Sequence, residues 1–359
     1  MDYPGESGLL DMNVPTSEQQ LDFLSTLQRL FNEGDFTATY KFALLIALTE
    51  ICVEQGASDN SPLVIKHTEI AEKFIGLYWQ QSAPYSSGLP GTQDRVLLQN
   101  GGAQAAVVRA IVEFRRDNPG ATPMAAARSS GYRDLVRTVA TTVSAQPINY
   151  LQNLGGQTVQ FLYERERGAV RLLPGVSYCL RRFQPLINHL SRTRWVEHIK
   201  GNRLNTPLLG ERDDLESFLF ATPRQALAAI AVNLRKLVGD YCFYCSKPLQ
   251  DADVDHFIPF SQYPRDLIHN FVLAHPSCNR SKGDALAAKP HLERWRDHVN
   301  RYTDQLTEIG AAAGRAANLQ SSVAVARWSY GNAVAGGAQA WLRARTYTKV
   351  DRGYLEVCA

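Results

Sequence analysis

The chain has 359 residues, which is enough for two or three domains, and its formal net charge is only +3. That charge is too small to indicate a nucleic-acid partner by itself. Because there is no signal-peptide pattern, no apolar run near twenty residues and no pairing pattern among Cys52, Cys179 and Cys358, we expect a soluble cytoplasmic protein without a membrane segment.

The N-terminal third is predicted to be helical. The residues from Phe36 to Glu54 are apolar on nearly all sides, which indicates a helix buried in a core rather than a membrane span. In the segment from Leu63 to Gln80, His67-Thr68 precedes a predicted amphipathic helix with Ile70, Phe74 and Leu77 on one face, and Ala103 to Arg116 predicts another. We therefore expect a helical N-terminal domain over residues 1–155.

A hairpin is predicted next, because the residues from Thr158 to Leu173 alternate between apolar and polar and are broken at Gly168. Two helices are expected to follow it, at Val176 to Leu190 and at Arg192 to Lys200. Together these elements predict a basic hairpin-plus-helix region over residues 156–234.

Positive charge is concentrated in this region. From Arg165 to Arg203 there are nine Lys or Arg against two Glu, interleaved with aromatic residues such as Trp195. Cations between aromatic rings suit a phosphate backbone and an unstacked base, so we predict that the segment contacts DNA. A solvated basic helix face, or pairing with acids such as Asp213, stays open as the alternative. The residues expected to bind DNA are Arg181, Arg182, Arg192 and Arg194.

The most informative stretch runs from Cys242 to Lys282. Cys242 and Cys245 form a Cys-x-x-Cys pair, and His275 and Cys278 form a His-x-x-Cys pair about thirty residues later. Two such pairs supply four ligands for one tetrahedral ion, and zinc is the ion that this set favours. Taken alone, such pairs more often indicate a structural zinc ribbon that has no catalytic role.

Residues suited to phosphodiester hydrolysis lie between and after these pairs. Asp255-His256 is followed by Phe-Ile-Pro, Asn270 by Phe-Val-Leu, and the second pair leads into Asn279 and Lys282. An imidazole that titrates near neutrality can take a proton from the attacking water. Carboxylate and amide oxygens suit a hard cation such as magnesium or manganese.

In this order the motifs resemble those of the HNH endonuclease family, over residues 235–290. The resemblance implies a ββα-metal unit, in which a two-stranded hairpin and a helix hold one divalent cation against the scissile phosphate. The first strand is expected at Val254 to Pro259 and the helix from Asn279 onward. His275 departs from the commonest zinc-bearing pattern of that family, which has a cysteine there.

The resemblance also implies a role for each site residue. His256 is expected to be the general base, and Asp255 and Asn279 to be ligands of the catalytic metal. Asn270 is expected to brace the loop that orients His256. From residue type alone, Asn270 could instead be a turn residue and Asn279 an N-cap of the following helix.

The positive charge expected at the phosphate comes from Lys282 or Arg280. The alternative for Lys282 is a solvated surface position. His269, beside Asn270, is expected to be a surface residue without a role.

Beyond the nuclease unit, His291 to Gly310 and Val323 to Arg343 are predicted to be helices, within a region 291–359 that packs on the N-terminal body. The expected fold class is therefore mainly α. It consists of a helical N-terminal body and a C-terminal ββα-metal unit that carries a structural zinc knuckle.

These patterns predict a metal-dependent DNA endonuclease or nickase with structural zinc and catalytic magnesium or manganese. The layout is similar to that of bacterial HNH proteins, some of them in phage-defence systems. Such a nuclease needs restraint by a partner protein, a ligand or modified host DNA, and the sequence leaves open which. The alternative function is a zinc-stabilised module that binds nucleic acid or a partner without cutting. The intact Asp255-His256 pair with Asn279 favours the nuclease.

Overall fold

The computed structural model describes residues 14–86, 94–209, 215–220 and 224–358, and most of its regular elements are helices. The helices are α1 Ser17–Glu33, α2 Tyr40–Gln55, α3 His67–Tyr78, α4 Ala106–Asp117, α5 Pro123–Ala127, α6 Tyr132–Ala145, α7 Pro147–Tyr150, α8 Val176–Arg182, α9 Gln184–Gly201, α10 Leu215–Phe220, α11 Arg224–Val238, α12 Pro276–Lys282, α13 Lys289–Arg301, α14 Thr303–Ala313, α15 Leu319–Ala335 and α16 Gly353–Val357. The strands are β1 Val64–Lys66, β2 Asn153–Leu154, β3 Gln157–Thr158, β4 Tyr163–Glu166, β5 Ala169–Leu172, β6 Asp253–His256, β7 Phe271–Ala274, β8 Gln339–Arg343 and β9 Thr346–Lys349. The mainly α fold class is confirmed.

The described residues divide into two compact units. Unit 1 holds those up to 114 and from 133 to 219, and unit 2 holds those from 115 to 132 and from 220 onward. The finer division expected at residues 155, 234 and 290 stays a prediction, as does the packing of region 291–359 on the N-terminal body. Among the described residues, no helix is both long enough and apolar enough to cross a membrane.

Unit 1 is organised around α2. Every residue from Tyr40 to Val53 is buried, and α3, α8 and α9 pack around this helix. The two charged residues within that stretch, Lys41 and Glu50, are also buried, and Lys73 of α3 lies 3.8 Å from the Glu50 carboxylate. The buried core helix expected from Phe36 to Glu54 is therefore confirmed.

A small antiparallel sheet flanks these helices, with strand order β1-β5-β4. The predicted hairpin is present as β4–β5, with Glu166 paired to Ala169 and Gly168 at φ +76° in the tight turn between them. Glycine suits that turn because it adopts positive φ at little cost. The hairpin is shorter than expected, since Gln157–Thr158 pairs with β2 instead.

The boundary between the two helices after this hairpin lies at a different residue than expected. The break falls at Phe183 rather than at Ser191, because Pro185 suits the first turn of α9 while Ser191 is fully buried inside that helix. A buried helix face can include a serine when the surrounding packing requires a small side chain.

Unit 2 contains the ββα arrangement. Strands β6 and β7 are antiparallel, with Asp253 opposite Ala274 and His256 opposite Phe271, and α12 follows β7 directly. The first strand ends three residues before the expected Pro259. The helix begins at Pro276 rather than at Asn279, because proline is favoured in the first helical turn, where its missing N–H costs nothing.

The C-terminal region of unit 2 departs from expectation in two places. The helix predicted from His291 to Gly310 is divided at Tyr302 into α13 and α14. The helix predicted from Val323 to Arg343 ends at Ala335, where Gly336 and Gly337 follow, the latter at φ +61°. The chain then turns into the β8–β9 hairpin. The prediction was wrong for the last third of that segment, because two consecutive glycines end a helix more effectively than the apolar pattern extends it.

Candidate active site and zinc centre

The four predicted zinc ligands lie together in unit 2. The ligand atoms of Cys242, Cys245, His275 and Cys278 are all within 4.8 Å of one another. The first two come from the loop before β6, His275 occupies the N-cap position of α12, and Cys278 lies in the first turn of that helix. Three thiols and one imidazole in one cluster suit a tetrahedral zinc ion, so the donor set fits the metal.

Neighbouring groups orient the His275 ring and change the pKa values of two of the cysteines. The His275 Nε2 lies 3.0 Å from the carbonyl oxygen of Pro248, to which it can donate, and this leaves Nδ1 facing the Cys245 sulfur at 3.3 Å. Burial opposes ionisation of the Cys242 thiol, but backbone N–H groups outweigh it and lower its pKa to about 7. Burial and the neighbouring cysteines raise the pKa of Cys278 to about 12, so this last thiol ionises readily only once a cation is bound.

His256, the expected general base, has a partner that the sequence did not reveal. Its Nε2 lies 2.7 Å from Oδ1 of Asp266, and the guanidinium of Arg315 lies 3.4 Å from the other oxygen of that carboxylate. The rings of Phe260 and Phe271 lie 5.2 Å and 4.7 Å from the imidazole. Because a carboxylate accepts the Nε2 hydrogen, the other nitrogen, Nδ1, keeps the lone pair that can take a proton.

Asn270 braces the backbone next to His256. Its side-chain nitrogen donates to the carbonyl oxygen of Ile258 at 2.9 Å, and its side-chain oxygen accepts from the N–H of the same residue at 2.7 Å. Its own carbonyl oxygen accepts from the N–H of Phe257 at 2.7 Å. Asn270 is buried, so these three bonds fix the chain immediately after His256.

Asp255 points away from this imidazole and into a buried polar cluster. Its Oδ2 accepts from the hydroxyl of Tyr244 at 2.5 Å and lies 3.1 Å from the ammonium of Lys282. That ammonium also donates to the carbonyl oxygen of His256 at 2.9 Å. Burial lowers the pKa of Lys282 even though Asp255 acts to raise it.

These contacts decide between the roles considered for Lys282. The side chain is 1% exposed, so the solvated surface position is wrong. Its ammonium contacts the Asp255 carboxylate and the His256 carbonyl oxygen inside the unit. This position does not favour direct contact with a phosphate. Arg280, two residues earlier on α12, is exposed, so phosphate contact by Arg280 stays a prediction.

Asn279 lies inside α12 and not at its end, so the N-cap alternative is wrong. Its side-chain nitrogen donates to Asp253 Oδ2 at 3.1 Å. The amide oxygen, which is the atom that a cation would take, is not used in that bond. Asp253 was missed because nothing in its spacing separates it from an ordinary strand residue. It lies two residues before Asp255, on the same face of β6.

His269 is also placed differently from expectation. It is 1% exposed, in the short 3₁₀ turn Ile268–Asn270, and its carbonyl oxygen accepts from the indole of Trp295 at 2.9 Å. Burial lowers its pKa. The surface assignment was wrong because α13 packs over this turn, which only the tertiary fold brings about.

The basic segment of unit 1 is more structural than its composition indicated. The indole of Trp195 is fully buried and donates to Gln99 at 2.8 Å, so it cannot stack on a base. The guanidinium of Arg181 donates to the carbonyl oxygens of Cys52 and Val53 at 2.9 Å and 3.1 Å, which caps the C-terminus of α2.

The other arginines predicted to bind DNA are more accessible. Arg182 and Arg194 are exposed and Arg192 is half-buried; Arg194 pairs with Glu197 at 3.1 Å. Asp213, named as an alternative partner for these arginines, lies outside the described residues. DNA contact by Arg182, Arg192 and Arg194 stays a prediction.

Two family models match the chain. One, described as a domain of unknown function (DUF8808), matches residues 19–214, and the other, described as HNH endonuclease, matches residues 242–285. No curated protein and no solved structure matches. The first match covers more than half of the chain, and the second contains the zinc ligands, His256 and Asn279 on their ββα unit. The chain therefore belongs to the DUF8808 family and carries a C-terminal HNH endonuclease domain of the zinc-binding type.

Proposed function

We propose that the protein is a metal-dependent DNA endonuclease that cuts one strand per active site. The observation that carries the proposal is the hydrogen bond between His256 Nε2 and Asp266, at 2.7 Å, within a matched HNH domain. A histidine whose second nitrogen is held by a carboxylate has a defined tautomer and a defined orientation, as a general base requires.

The residues of the site divide into those that act on water and those that position them. His256 Nδ1 takes the proton of the attacking water. Asp266 holds the imidazole and stabilises its positive charge after proton transfer. Asn270 and Lys282 are positioning residues, because both bind the backbone of the strand and turn that carry His256.

Oxygen donors suited to a hard divalent cation lie on the face of β6 opposite to His256. Asp255 and Asn279 would hold it, with Asp253 fixing the Asn279 amide through the 3.1 Å bond. When bound, such an ion neutralises the charge that develops on the phosphate. Zinc in the Cys/His cluster would be structural, since thiolate ligands from both ends of the ββα unit hold its loop and helix together.

One observation favours the alternative, a zinc-stabilised module that binds without cutting. The Asp255 carboxylate is already occupied by Tyr244 and Lys282, so a cation there must share it. A role in phage defence, and restraint by a partner protein, remain hypotheses that rest on the layout of the chain.

The proposal is tested by incubating the purified protein with supercoiled plasmid and magnesium, manganese or no added metal. We expect metal-dependent conversion to the nicked form. His256→Ala should reduce the rate by about two to four orders of magnitude. Asp266→Asn should reduce it about tenfold to a hundredfold, because a hydrogen bond to a charged group contributes about 1.5–3 kcal/mol.

The matched control is Asp284→Asn, which removes an exposed carboxylate that bonds to Ser261 rather than to the imidazole. It should cut at the wild-type rate. Wild-type protein that binds DNA but leaves the plasmid intact with either metal would instead support the non-cleaving module.

A further inference from the structure

The β8–β9 hairpin of unit 2 is an unexpected element with an unusual surface. Its strands pair with Trp341 opposite Tyr347 and Arg343 opposite Thr346, which leaves Ala344 and Arg345 as a two-residue turn. Residues 338–350 contain three cations and no acidic residue. The hairpin therefore carries a local positive charge, although the net charge of the whole chain is only +3.

A buried side chain, Trp341, anchors this hairpin to the nuclease domain. Trp341 is 2% exposed, and its indole nitrogen donates to the Ser281 hydroxyl of α12 at 3.1 Å. Its backbone bonds to Leu286 and Ala288, just after that helix, at 2.7 Å and 2.8 Å. Its ring also meets that of Tyr244, the residue that binds Asp255, at 5.2 Å. The hairpin is thereby held at a defined position relative to the helix that carries Asn279.

The cations of the hairpin point outward. Arg343, Arg345 and Lys349 are all exposed, and none of them pairs with a carboxylate within the described part of the chain. Tyr347 between them is 48% exposed. Unpaired surface cations beside an exposed ring provide what a phosphate backbone requires.

Arg345 is held in an unfavourable backbone conformation. Its φ is +60°, in the left-handed region where glycine and asparagine are favoured and a long side chain is uncommon. An arginine that stands where glycine would fit better indicates that its guanidinium serves a purpose other than stability.

A groove joins the hairpin to α12. It encloses about 500 Å³ and is lined by Ser277 and Ser281 of the helix, by Trp341 and Arg343 of the hairpin, and by Cys245 and Cys278 of the zinc cluster. Hydroxyl groups on one wall and a guanidinium on the other are hydrogen-bond donors of the kind that bind phosphate oxygens. The exposed Arg280 belongs to the same helix.

We propose that the β8–β9 hairpin and this groove bind the sugar-phosphate backbone of DNA, as an interface separate from the basic segment of unit 1. The proposal rests on the part of the proposed function that makes DNA the ligand of this protein, and not on its cleavage. Arg343 and Arg345 contact phosphates, and Trp341 fixes the position of the hairpin relative to α12. A two-stranded ribbon is narrow enough to lie along a groove of the duplex while its turn reaches the backbone.

The test measures binding without cleavage. A short fluorescein-labelled duplex is titrated with His256→Ala protein by fluorescence anisotropy, without added magnesium or manganese, over a series of KCl concentrations. Arg343→Gln/Arg345→Gln should weaken binding and flatten the salt slope by about 1.8, because each phosphate that is no longer neutralised reduces the slope by about 0.9. The control with the same charge change is Lys236→Gln/Arg327→Gln, two exposed cations on α11 and α15, and it should leave the slope as it is.

A single variant separates function from folding. Arg345→Gly relieves the positive φ, so the midpoint of thermal unfolding should stay at or above that of the parent while DNA affinity falls. Equal slopes for the hairpin variant and its parent would overturn the proposal, and so would failure of the parent to bind the duplex. A parent that binds in a hairpin-dependent manner, while wild-type protein leaves plasmid uncut, would refute the nuclease assignment and leave the hairpin proposal standing.

Discussion

Replacing Lys282 by methionine tests whether this residue stabilises the fold or contacts the substrate. Methionine keeps the unbranched apolar stem but removes the ammonium that lies 3.1 Å from Asp255 and 2.9 Å from the His256 carbonyl. The Lys282 and Asp255 side chains are 1% and 8% exposed, so the remaining carboxylate would be buried without its counter-charge. Removing one partner of a buried ion pair costs about 3–5 kcal/mol.

The cost should be recovered in large part by a second substitution. In Lys282→Met/Asp255→Asn both charges are gone, and the amide oxygen can still accept from Tyr244. Replacing both members of a buried pair is often nearly neutral, so the double variant should be more stable than Lys282→Met by about 2 kcal/mol or more. The matched control is Arg280→Met, on the exposed side of the same helix, which should change the free energy of unfolding by no more than about 0.5 kcal/mol.

The assay is urea denaturation followed by tryptophan fluorescence, with Trp295 and Trp341 both buried in unit 2. A Lys282→Met protein as stable as wild type, with cleavage slowed and the double variant no better, would refute the buried-pair reasoning. That result would return Lys282 to the phosphate-binding role that the motif alone implied.

Two further predictions concern protons and zinc. Burial and the neighbouring His269 lower the pKa of His298 from 6.5 to about 4, so the unfolded chain takes up this proton before the folded one does. The free energy of unfolding should therefore be greatest above pH 6.5 and fall toward pH 4 by on the order of 2–3 kcal/mol. The variant His298→Phe should show a smaller fall. Identical pH profiles for the two proteins in urea denaturation would contradict this. For the zinc centre, elemental analysis should find one zinc per chain, retained in His275→Cys, which keeps four ligands, but lost with much of the stability of unit 2 in Cys278→Ser.

Much of the candidate site could be predicted from the chain because its chemistry lies in short, ordered motifs. The four zinc ligands, the adjacent Asp255-His256 and the bracing Asn270 all fall within about forty residues, and the turns and short strands between them bring them together locally. The buried helix α2 was equally predictable, since apolar residues on every side of a helix can be accommodated only in a core.

Long-range packing decided the rest. Asp266 became the partner of His256, and Asp253 that of Asn279, through bonds that depend on how the loop after β6 folds back and how α12 lies along the strand. Burial likewise separated charges that look alike in sequence: Lys282 lies inside the unit and Arg280 outside, although both follow the second zinc-binding pair.

The sequence by itself determined that this protein is mainly helical and contains a zinc-binding HNH unit, because local spacing suffices to define metal ligands and a ββα motif. Only the tertiary structure decided which charged residues face solvent, which acid binds the His256 imidazole, and that a cationic hairpin is anchored by Trp341 to α12. The physical reason is that desolvation and hydrogen bonding depend on neighbours distant in the chain, which a pattern of residue types does not specify.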